Sequence, residues 1–362
     1  MSISDVYAKI KEQLDEQLPF VVYRKSDSLE LNVFLQENDI KYLVEDYDIS
    51  GFVFAPFDSN EPILLIPSEH SKKLTASLSD ELESNDKNSS HNRITSSENL
   101  KDKETHKRLI EKGIQAIASG NFKKVVLSRK EETSQFEFLN PLLLFQRLLD
   151  NYPTAFVYYW YHPKVGAWLG ATPETLLHSK NNEIFTMSLA GTQPYQEDTP
   201  VTWGSKEIDE QEIVTQYILK KLDPVLSNIT ASKAYTYRAG SLLHLRTDIK
   251  GTLNSEVQGV EDIIKILHPT PAVCGLPKEE TQSFIRQYEG YDRKFYTGFL
   301  GELNMSHGAE IESNLFVNLR CMEVKGNTAI LYVGGGITKD SIPEKEWEET
   351  VKKTETMRKV LF

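Results

Sequence analysis

The chain has 362 residues, 39% of them apolar, with 16 Phe, 16 Tyr and 4 Trp, so it can bury a sizeable core and is not a disordered chain. Its 41 basic and 53 acidic residues give a net charge of −12, which excludes a general basic field and makes nucleic acid an unexpected partner. Because no apolar run reaches the roughly 18 residues of a membrane span and the opening segment lacks an apolar signal core, we expect a cytoplasmic chain without membrane contact. The two cysteines, Cys274 and Cys321, form no CxxC pair and are predicted to be buried thiols.

The beginning of the chain combines short β-like runs with one helix-like opening, and nothing in it looks reactive. Residues 77–103 are rich in Ser, Asn, Asp and Glu and contain few large apolar side chains. Such a segment cannot repay the entropy of ordering, so the composition predicts a long mobile surface loop there.

After this loop the apolar residues recur with regular helix and strand periodicity, and helices and strands alternate without a strict βαβ order. Helices are predicted at 106–118, 141–152, 205–222 and 260–267 and at the C-terminus, and strands at 123–132, 155–163, 167–171, 183–192, 237–253, 295–305, 315–324 and 329–337. A hairpin pattern over 318–336, with its turn at Lys325-Gly326-Asn327, favours antiparallel pairing and an α+β fold. Neither a GxGxxG after a first strand nor a GxxxxGK[ST] motif occurs, so a nucleotide loop is not expected.

Two Glu-x-x-Glu pairs, Glu207 with Glu210 and Glu346 with Glu349, each lie at the start of a predicted helix and share one face of it. Glutamates in a first turn can simply favour the helix dipole, by about 0.3–1 kcal/mol each. If both pairs face one cavity, carboxylates about 4 Å apart repel by around 4 kcal/mol at an effective dielectric of 20. Such a cluster demands a cation, and ligands that are all oxygen indicate Mg²⁺.

Three further ionisable residues occupy positions with two interpretations each. Lys124 opens an apolar strand and points inward if Lys123 points out, or both are solvated at the strand start. Lys353 lies four residues after Glu349 on the same helix face, where it can pair with that carboxylate or hold an anion beside a metal. Glu174 follows a proline between two apolar stretches, so it is either half buried with a raised pKa or a member of a plain turn.

A run of three glycines, 334–336, ends an apolar strand and can let backbone N–H groups approach an anion. His244 lies in an apolar strand. It is either a buried histidine whose hydrogen bonds are made within the core, which is the ordinary case, or a functional residue. Arg320 alternates into what should be interior, and an interior guanidinium needs a carboxylate from the protein or from a ligand.

The motifs of the chain, taken in order, resemble the chorismate-utilising enzymes, which include isochorismate, salicylate, anthranilate and aminodeoxychorismate synthases. The resemblance runs from about Lys123 to the C-terminus and rests on KVVLSR, GATPE, LAGT, KEIDEQ, HLRT, LHPTPAVCG, YTGFLG, NLRC, GGGI and SIPEKEWEETVKK. It implies one chorismate-binding domain over 1–362, in which a variable N-terminal region, residues 1–105, precedes a catalytic core, residues 106–362. The implied fold is α+β, with two packed antiparallel sheets under helices and a cleft for chorismate and Mg²⁺.

The resemblance also implies a role for each matching residue. Glu210 and Glu349 correspond to metal ligands, directly or through water, and Glu207 and Glu346 to their supporting carboxylates, so that Mg²⁺ neutralises the ring carboxylate of chorismate. Arg320 and Tyr296 correspond to the residues that hold the enolpyruvyl carboxylate. The remaining substrate contacts are assigned to Lys353, Gly191, Thr192, His244 and the amides of Gly334 and Gly336.

The subfamily follows from the nucleophile. Members that add water carry a lysine where Lys124 stands, the ammonia users carry Gln there, and the aminodeoxychorismate enzymes carry a lysine in place of Ala190. The resemblance therefore implies an isochorismate synthase for menaquinone or siderophore supply, in which neutral Lys124 takes a proton from water as it attacks C2 and protonated Glu174 gives one to the departing C4 hydroxyl. No obligatory protein partner is expected.

Three alternatives stay open. A salicylate synthase would also expel pyruvate from bound isochorismate, an anthranilate synthase would need an external glutaminase, and a binding protein on the same scaffold would have lost catalysis. The sequence also departs from the family pattern: Gln211 replaces a His, Gln193 an Arg, Ser188 a Pro and Glu302 a frequent Trp, which leaves the shape of the cleft open.

Overall fold

Two large antiparallel sheets form the centre of the molecule, and the predicted α+β fold with two such sheets and surrounding helices is confirmed. The computed structural model describes residues 1–78, 100–133, 139–197, 200–257 and 259–361. Within these ranges no helix is both long and apolar enough to cross a membrane.

The elements are as follows in chain order. The helices are α1 (Ile3–Asp15), α2 (Leu100–Ala118), α3 (Pro141–Asn151), α4 (Ser205–Leu222), α5 (Val260–Leu267), α6 (Lys278–Tyr288) and α7 (Pro343–Leu361). The strands are β1 (Phe20–Arg24), β2 (Glu30–Gln36), β3 (Tyr42–Leu43), β4 (Gly51–Ala55), β5 (Leu64–Pro67), β6 (Ser71–Ser77), β7 (Lys124–Thr133), β8 (Phe156–His162), β9 (Gly166–Thr172), β10 (Thr175–Lys180), β11 (Glu183–Pro194), β12 (Leu226–Ala231), β13 (Tyr235–Ala239), β14 (Leu242–Leu253), β15 (Gly275–Leu276), β16 (Phe299–His307), β17 (Glu310–Val317), β18 (Cys321–Lys325) and β19 (Thr328–Ile337).

Strands from separate parts of the chain contribute to both sheets. The first sheet has the order β15-β7-β19-β18-β9-β8-β1-β2-β6, and the second has the order β12-β14-β11-β10-β17-β16-β4-β5-β3, with β13 paired to β14. Strands from the N-terminal region therefore complete both sheets: β1 pairs with β8, and β4 pairs with β16.

The core is layered because the strands alternate their side chains between two faces. In β8, Phe156, Tyr158 and Trp160 belong to an aromatic cluster between the sheets, whereas Val157 and Tyr159 pack with α1, α3 and α7. On the second sheet, apolar residues of α4 and α5 cover the outer face. The helices thus lie outside and the aromatic layer inside, and both cysteines are buried and free.

Most predicted elements are confirmed, and the exceptions are as follows. The predicted strand over 315–324 is two strands in different sheets, because the chain leaves β17 at Val317 and enters β18 at Cys321. Arg320 lies between them with a φ of +47°, so the strand alternation from which its inward position was predicted does not apply to it. Strands β10 and β12 were not predicted. Helix α2 begins at Leu100, so residues 100–103 are helical and the predicted mobile loop is wrong there; its residues 79–99 lie outside the described residues. The predicted strand over 237–253 is two strands, because Gly240 turns the chain with a φ of +64°. Helix α6 was not predicted; of its residues only Thr281, Gln282 and Ile285 are buried, and two of these three are polar.

Candidate active site

A pocket lies where β11, β14 and β19 meet α4 and α7. Its lining includes eleven of the fourteen predicted site residues, namely Glu174, Gly191, Thr192, Glu210, His244, Tyr296, Arg320, Gly334, Gly336, Glu349 and Lys353. Lys124, Glu207 and Glu346 lie just behind this lining. The fold therefore brings together residues that are far apart in the sequence.

Lys124 begins β7 and points into the protein, as the alternation of that strand requires. Its side chain is fully buried and its Nζ lies 3.0 Å from Glu210 Oε1, whereas Lys123 is exposed, so the inward orientation is confirmed and the solvated alternative is wrong. Burial favours the neutral form of Glu210, but the nearby Lys124 ammonium outweighs it and holds the pKa of Glu210 below its ordinary value. Lys124 and Glu210 thus form a buried ion pair at the edge of the pocket.

The glycine run of β19 makes room for this ion pair. A Cβ on Gly336 would lie 2.1 Å from Glu210 Oε1 and 3.0 Å from Lys124 Cε, so no larger residue fits without displacing the pair. A Cβ on Gly335 would meet nothing closer than 3.7 Å. The three glycines pair with residues 126–128 of β7 in the sheet. The run therefore serves side-chain packing, and the predicted contact between its amides and an anion stays a prediction.

Glu207 occupies a different place from Glu210. The first turn of α4 passes close to Gly191, where a Cβ would lie 3.1 Å from Glu207 Cβ, and Gly191 has a φ of +68°. Glycine is required there for both reasons. Glu207 does not belong to the pocket lining, so its supporting role stays a prediction.

The two glutamates of α7 that were predicted for the metal site are each paired with a lysine. Glu346 is 2% exposed and its Oε1 lies 2.5 Å from Nζ of Lys206, while Oε1 of Glu349 lies 2.7 Å from Nζ of Lys353. Burial raises the pKa of Glu346, and the neighbouring Glu349 adds to this rise while Lys206 opposes it. Sequence reasoning missed Lys206, because its partner lies 140 positions away on another helix.

The carboxylates have the donor chemistry of a hard cation, because their ligating atoms are all oxygen. Glu346 Oε2 is buried and has no hydrogen-bond partner among the described atoms, which is an atom that a cation would satisfy. Among the described residues, however, no group of three or more His, Cys, Asp or Glu is already arranged around one point. The residues thus fit Mg²⁺ in kind, and the lysine ammonium groups must give way for the carboxylates to converge.

Glu174 lies in the two-residue link between β9 and β10, which belong to different sheets. Its backbone carbonyl accepts a hydrogen bond from Val317 N at 2.9 Å, and its own N–H reaches Thr172 Oγ1 at 3.3 Å. The side chain is 4% exposed, and burial raises its pKa to about 8 although Lys124, Arg320 and Lys353 oppose the rise. The interpretation as a buried carboxyl group with a raised pKa is therefore confirmed, and the plain turn is wrong; the carboxyl group is protonated at neutral pH.

Arg320 and His244 form one hydrogen-bonded unit in the pocket lining. His244 Nδ1 donates to the carbonyl of Gly191 at 2.9 Å, so its Nε2 carries the lone pair and accepts from Arg320 Nη2 at 2.7 Å. Burial, and then the Arg320 charge, lower the pKa of His244 well below its ordinary value. His244 is thus a neutral residue that orients the guanidinium.

The Arg320 guanidinium lacks a counter-ion. Its other contact is from Nη1 to the carbonyl of Ala239 at 3.2 Å, and no carboxylate of the described residues pairs with it. Burial lowers its pKa to about 10, so it stays charged at neutral pH. An anionic group in the pocket would supply the missing partner.

The buried ion pair of Arg293 and Glu289 lies behind the pocket and is hydrogen-bonded to residues of its lining. Arg293 is paired with Glu289, and it donates to the carbonyls of Val126 and Val273 at 2.7 and 3.0 Å and to Thr297 Oγ1 at 3.2 Å. These three acceptor residues all line the pocket. Next to them the buried ring of Tyr296 stacks on Tyr332 with centroids 5.7 Å apart.

The sequence model of the chorismate binding enzyme family matches residues 59–362. The chain belongs to this family. It is 28% identical over 276 residues to isochorismate synthase DhbC of Bacillus subtilis. The aligned region covers 71% of this chain and 68% of that protein. The family match begins well before Lys123 and so includes some of the N-terminal region.

Two solved structures share the fold. The menaquinone-specific isochorismate synthase MenF of Escherichia coli has a TM-score of 0.78 at 24% identity, over 95% of this chain and 89% of that one. The putative 2,3-dihydroxybenzoate-specific isochorismate synthase of Bacillus anthracis has a TM-score of 0.76 at 23% identity, over 97% and 99% of the two chains.

The departures of this chorismate-binding enzyme from the family pattern lie outside the pocket lining. Buried Gln211 donates through Nε2 to Ser188 Oγ and to Thr247 Oγ1, both at 2.9 Å, so two of the departures contact each other behind Glu210. Glu302 is buried in the second sheet, where it accepts from Tyr23 and pairs with Lys25 at 2.7 Å. Gln211 and Ser188 thus lie behind the site, Glu302 is held by Tyr23 and Lys25, and the proposed reacting groups are in place.

Proposed function

We propose that this protein is an isochorismate synthase, which converts chorismate reversibly into isochorismate by adding water at C2 and losing the C4 hydroxyl group. One observation carries the proposal: a single site holds a fully buried lysine, Lys124, and a buried carboxyl group, Glu174, whose pKa of about 8 keeps it protonated at neutral pH. These are the base and the acid that water addition and hydroxyl loss require. The names of the related proteins support the same activity.

The acid step is assigned to Glu174. The C4–O bond breaks as the carboxyl proton passes to the hydroxyl oxygen, and the leaving group departs as water. The ring double bond shifts as the new C2–O bond forms. A carboxyl group that is protonated near pH 7 can supply this proton without prior uptake from solvent.

The base step is assigned to Lys124, which takes the proton of the attacking water. Its Nζ lies 3.0 Å from Glu210 Oε1 in this structure, and a base must have a free amine that can accept a proton. Glu210 would be a ligand of Mg²⁺ when the metal is bound, and Lys124 would then be released from this pair. One water enters and one leaves, so the net reaction is an isomerisation.

The anionic substrate is held by groups that lack a counter-ion or can release one. Arg320, oriented by His244, is assigned to the enolpyruvyl carboxylate together with Tyr296. Lys353 and the backbone around Gly191, Thr192, Gly334 and Gly336 are assigned to the rest of the substrate. Two carboxylates of chorismate thus meet positive charge in a protein of net charge −12.

Mg²⁺ is the proposed cofactor, held by Glu210 and Glu349 with Glu207 and Glu346 in support. When bound, it supplies the positive charge that the ring carboxylate needs beside these acidic residues. The orphaned Oε2 of buried Glu346 supports this assignment. We further propose a cytoplasmic enzyme of menaquinone or siderophore supply that needs no protein partner and contacts neither nucleic acid nor membrane.

The test is product identification. The purified protein is incubated with chorismate and Mg²⁺, and the products are separated by chromatography with isochorismate and salicylate standards. We expect isochorismate, and no turnover in excess EDTA. Accumulation of salicylate would replace the proposal by a salicylate synthase, and full activity in EDTA would remove the metal site.

A further inference from the structure

A second cavity adjoins the pocket on the side of Arg320. Pro173 and Arg320 line both cavities, so the two meet at these residues. The outer walls of this second cavity, here called the outer basin, are formed by Tyr152, Tyr195, Arg238 and Lys359. None of these four residues is used by the proposed reaction.

The outer basin has a charge opposite to that of the whole protein. Among the described residues that line it, there is no Asp or Glu, although the chain has 53 acidic residues against 41 basic ones. Three cations, Arg238, Arg320 and Lys359, line it instead. None of the three forms an ion pair with a carboxylate in the described ranges of the chain. The basin therefore concentrates positive charge that no carboxylate of the described residues compensates.

Arg238 is held in place and is not a free surface side chain. Its Nε donates to the carbonyl of Gly240 at 3.0 Å, and its guanidinium carbon lies 3.6 Å from the centroid of the Tyr195 ring. The backbone N–H of Tyr195 in turn donates to the carbonyl of Ser241 at 2.9 Å. These contacts orient a cation at the rim without using all of its donors.

The position of Arg238 links the rim to the site. Arg238 lies on β13 opposite Leu243 of β14, and the next residue of β14 is His244, which orients Arg320. A purely structural role for Arg238, as a support of the 239–241 turn, would explain its two contacts. It would not explain why Lys359 and Arg320 share the same cavity without any carboxylate.

We propose that the outer basin is a capture site for the small dicarboxylate substrate, which it draws in and passes to Arg320. This inference rests on the proposed function for the identity of that substrate, chorismate. Attraction of this kind raises the local concentration of a dianion and weakens as salt screens it.

The test compares Arg238→Gln, Lys359→Gln and the double variant with wild-type protein. Lys11→Gln and Lys72→Gln are the matched controls, because they remove the same charge from exposed lysines elsewhere. At low ionic strength we expect the kcat/KM of the double variant for chorismate to fall about tenfold, mainly through KM, and the controls to stay within about twofold. The difference should close at about 0.5 M salt, where the screening length is only a few ångströms.

Chorismate binding measured by calorimetry in the same proteins separates the two proposals. Binding that weakens in the double variant, without any turnover by wild-type protein, would end the proposed reaction and leave the capture site standing. Equal KM and equal salt dependence in the double variant and wild type would overturn the capture site. A loss confined to kcat in the double variant, restored by Arg238→Lys, would also overturn it, because it would make Arg238 a positioning residue.

Discussion

Replacing Glu174 by Gln tests the burial of the catalytic acid in two independent ways. The amide keeps the shape of the side chain, but it cannot donate a proton to the leaving hydroxyl. The expected fall in kcat is about 10²–10⁴-fold, the usual worth of a positioned general acid, with chorismate binding retained. Calorimetric titration separates the loss of turnover from any loss of binding.

The same variant has a predictable effect on stability. Burial raises the pKa of Glu174 from its ordinary 4.5 to about 8, so the folded state holds a proton that the unfolded state loses at lower pH. The contribution of Glu174 to the free energy of unfolding is fully present below pH 4.5 and is lost as the pH rises to about 8. Each pKa unit corresponds to about 1.36 kcal/mol, so the free energy of unfolding falls by roughly 5 kcal/mol over this range. Glu174→Gln has no such group, so its stability relative to wild type should rise by that order between about pH 5 and pH 9.

Urea unfolding of both proteins at about pH 5, 7 and 9 measures this difference, and the wild-type kcat over the same range measures the protonation. We expect wild-type kcat to fall about tenfold per unit above pH 8, because ionised Glu174 cannot act as an acid. Parallel stability curves for the two proteins would refute the raised pKa. An unchanged kcat in Glu174→Gln would refute the acid role.

The remaining predictions concern the lysines and the glycine run. Lys124→Gln should lower kcat by about 10²–10⁴-fold while circular dichroism shows a retained fold; isochorismate formation near the wild-type rate would end the water-activation argument. Gly336→Ala should lower kcat by about tenfold or more, because its Cβ would lie 2.1 Å from Glu210 Oε1, whereas Gly335→Ala, with 3.7 Å of space, is the matched control and should stay near wild type. Lys206→Gln leaves the carboxylate of Glu346 buried without its ion-pair partner, so it should lower the free energy of unfolding without metal by about 1–3 kcal/mol, and Mg²⁺ should restore more of it than in wild type. Thermal unfolding with and without Mg²⁺ checks this, and an equal Mg²⁺ effect in both proteins would contradict the shared role of Lys206 and the metal.

Local patterns were sufficient for most of the elements and for part of the site. The alternation of β7 offered an inward Lys124 as one of two interpretations, and the bounds of α4 and α5 agree with the apolar periodicity of their sequences. The hairpin of β18 and β19 followed from its turn residues. In each case the decisive information lies within a short stretch of sequence.

Contacts between distant elements could not be read in this way. The pair of Lys206 with Glu346 joins two helices, and neither helix carries a signal for the other. The reason for glycine at position 336 is likewise the Glu210 carboxylate of α4, so the strand sequence alone suggested an anion cradle. Helix α6 was missed because its few buried residues include two polar ones, Thr281 and Gln282.

The pairing of early strands with late ones in both sheets has a consequence during synthesis. Ala55 of β4 pairs with Phe299 of β16, so a strand whose five residues are all buried must wait for a partner made 244 positions later. At about 5–20 residues per second the wait is roughly 12–50 s. An apolar strand with an open edge is prone to aggregate in that time. Fragments that stop before residue 299 should therefore be insoluble, and slower growth or a holding chaperone should raise the yield of the full chain.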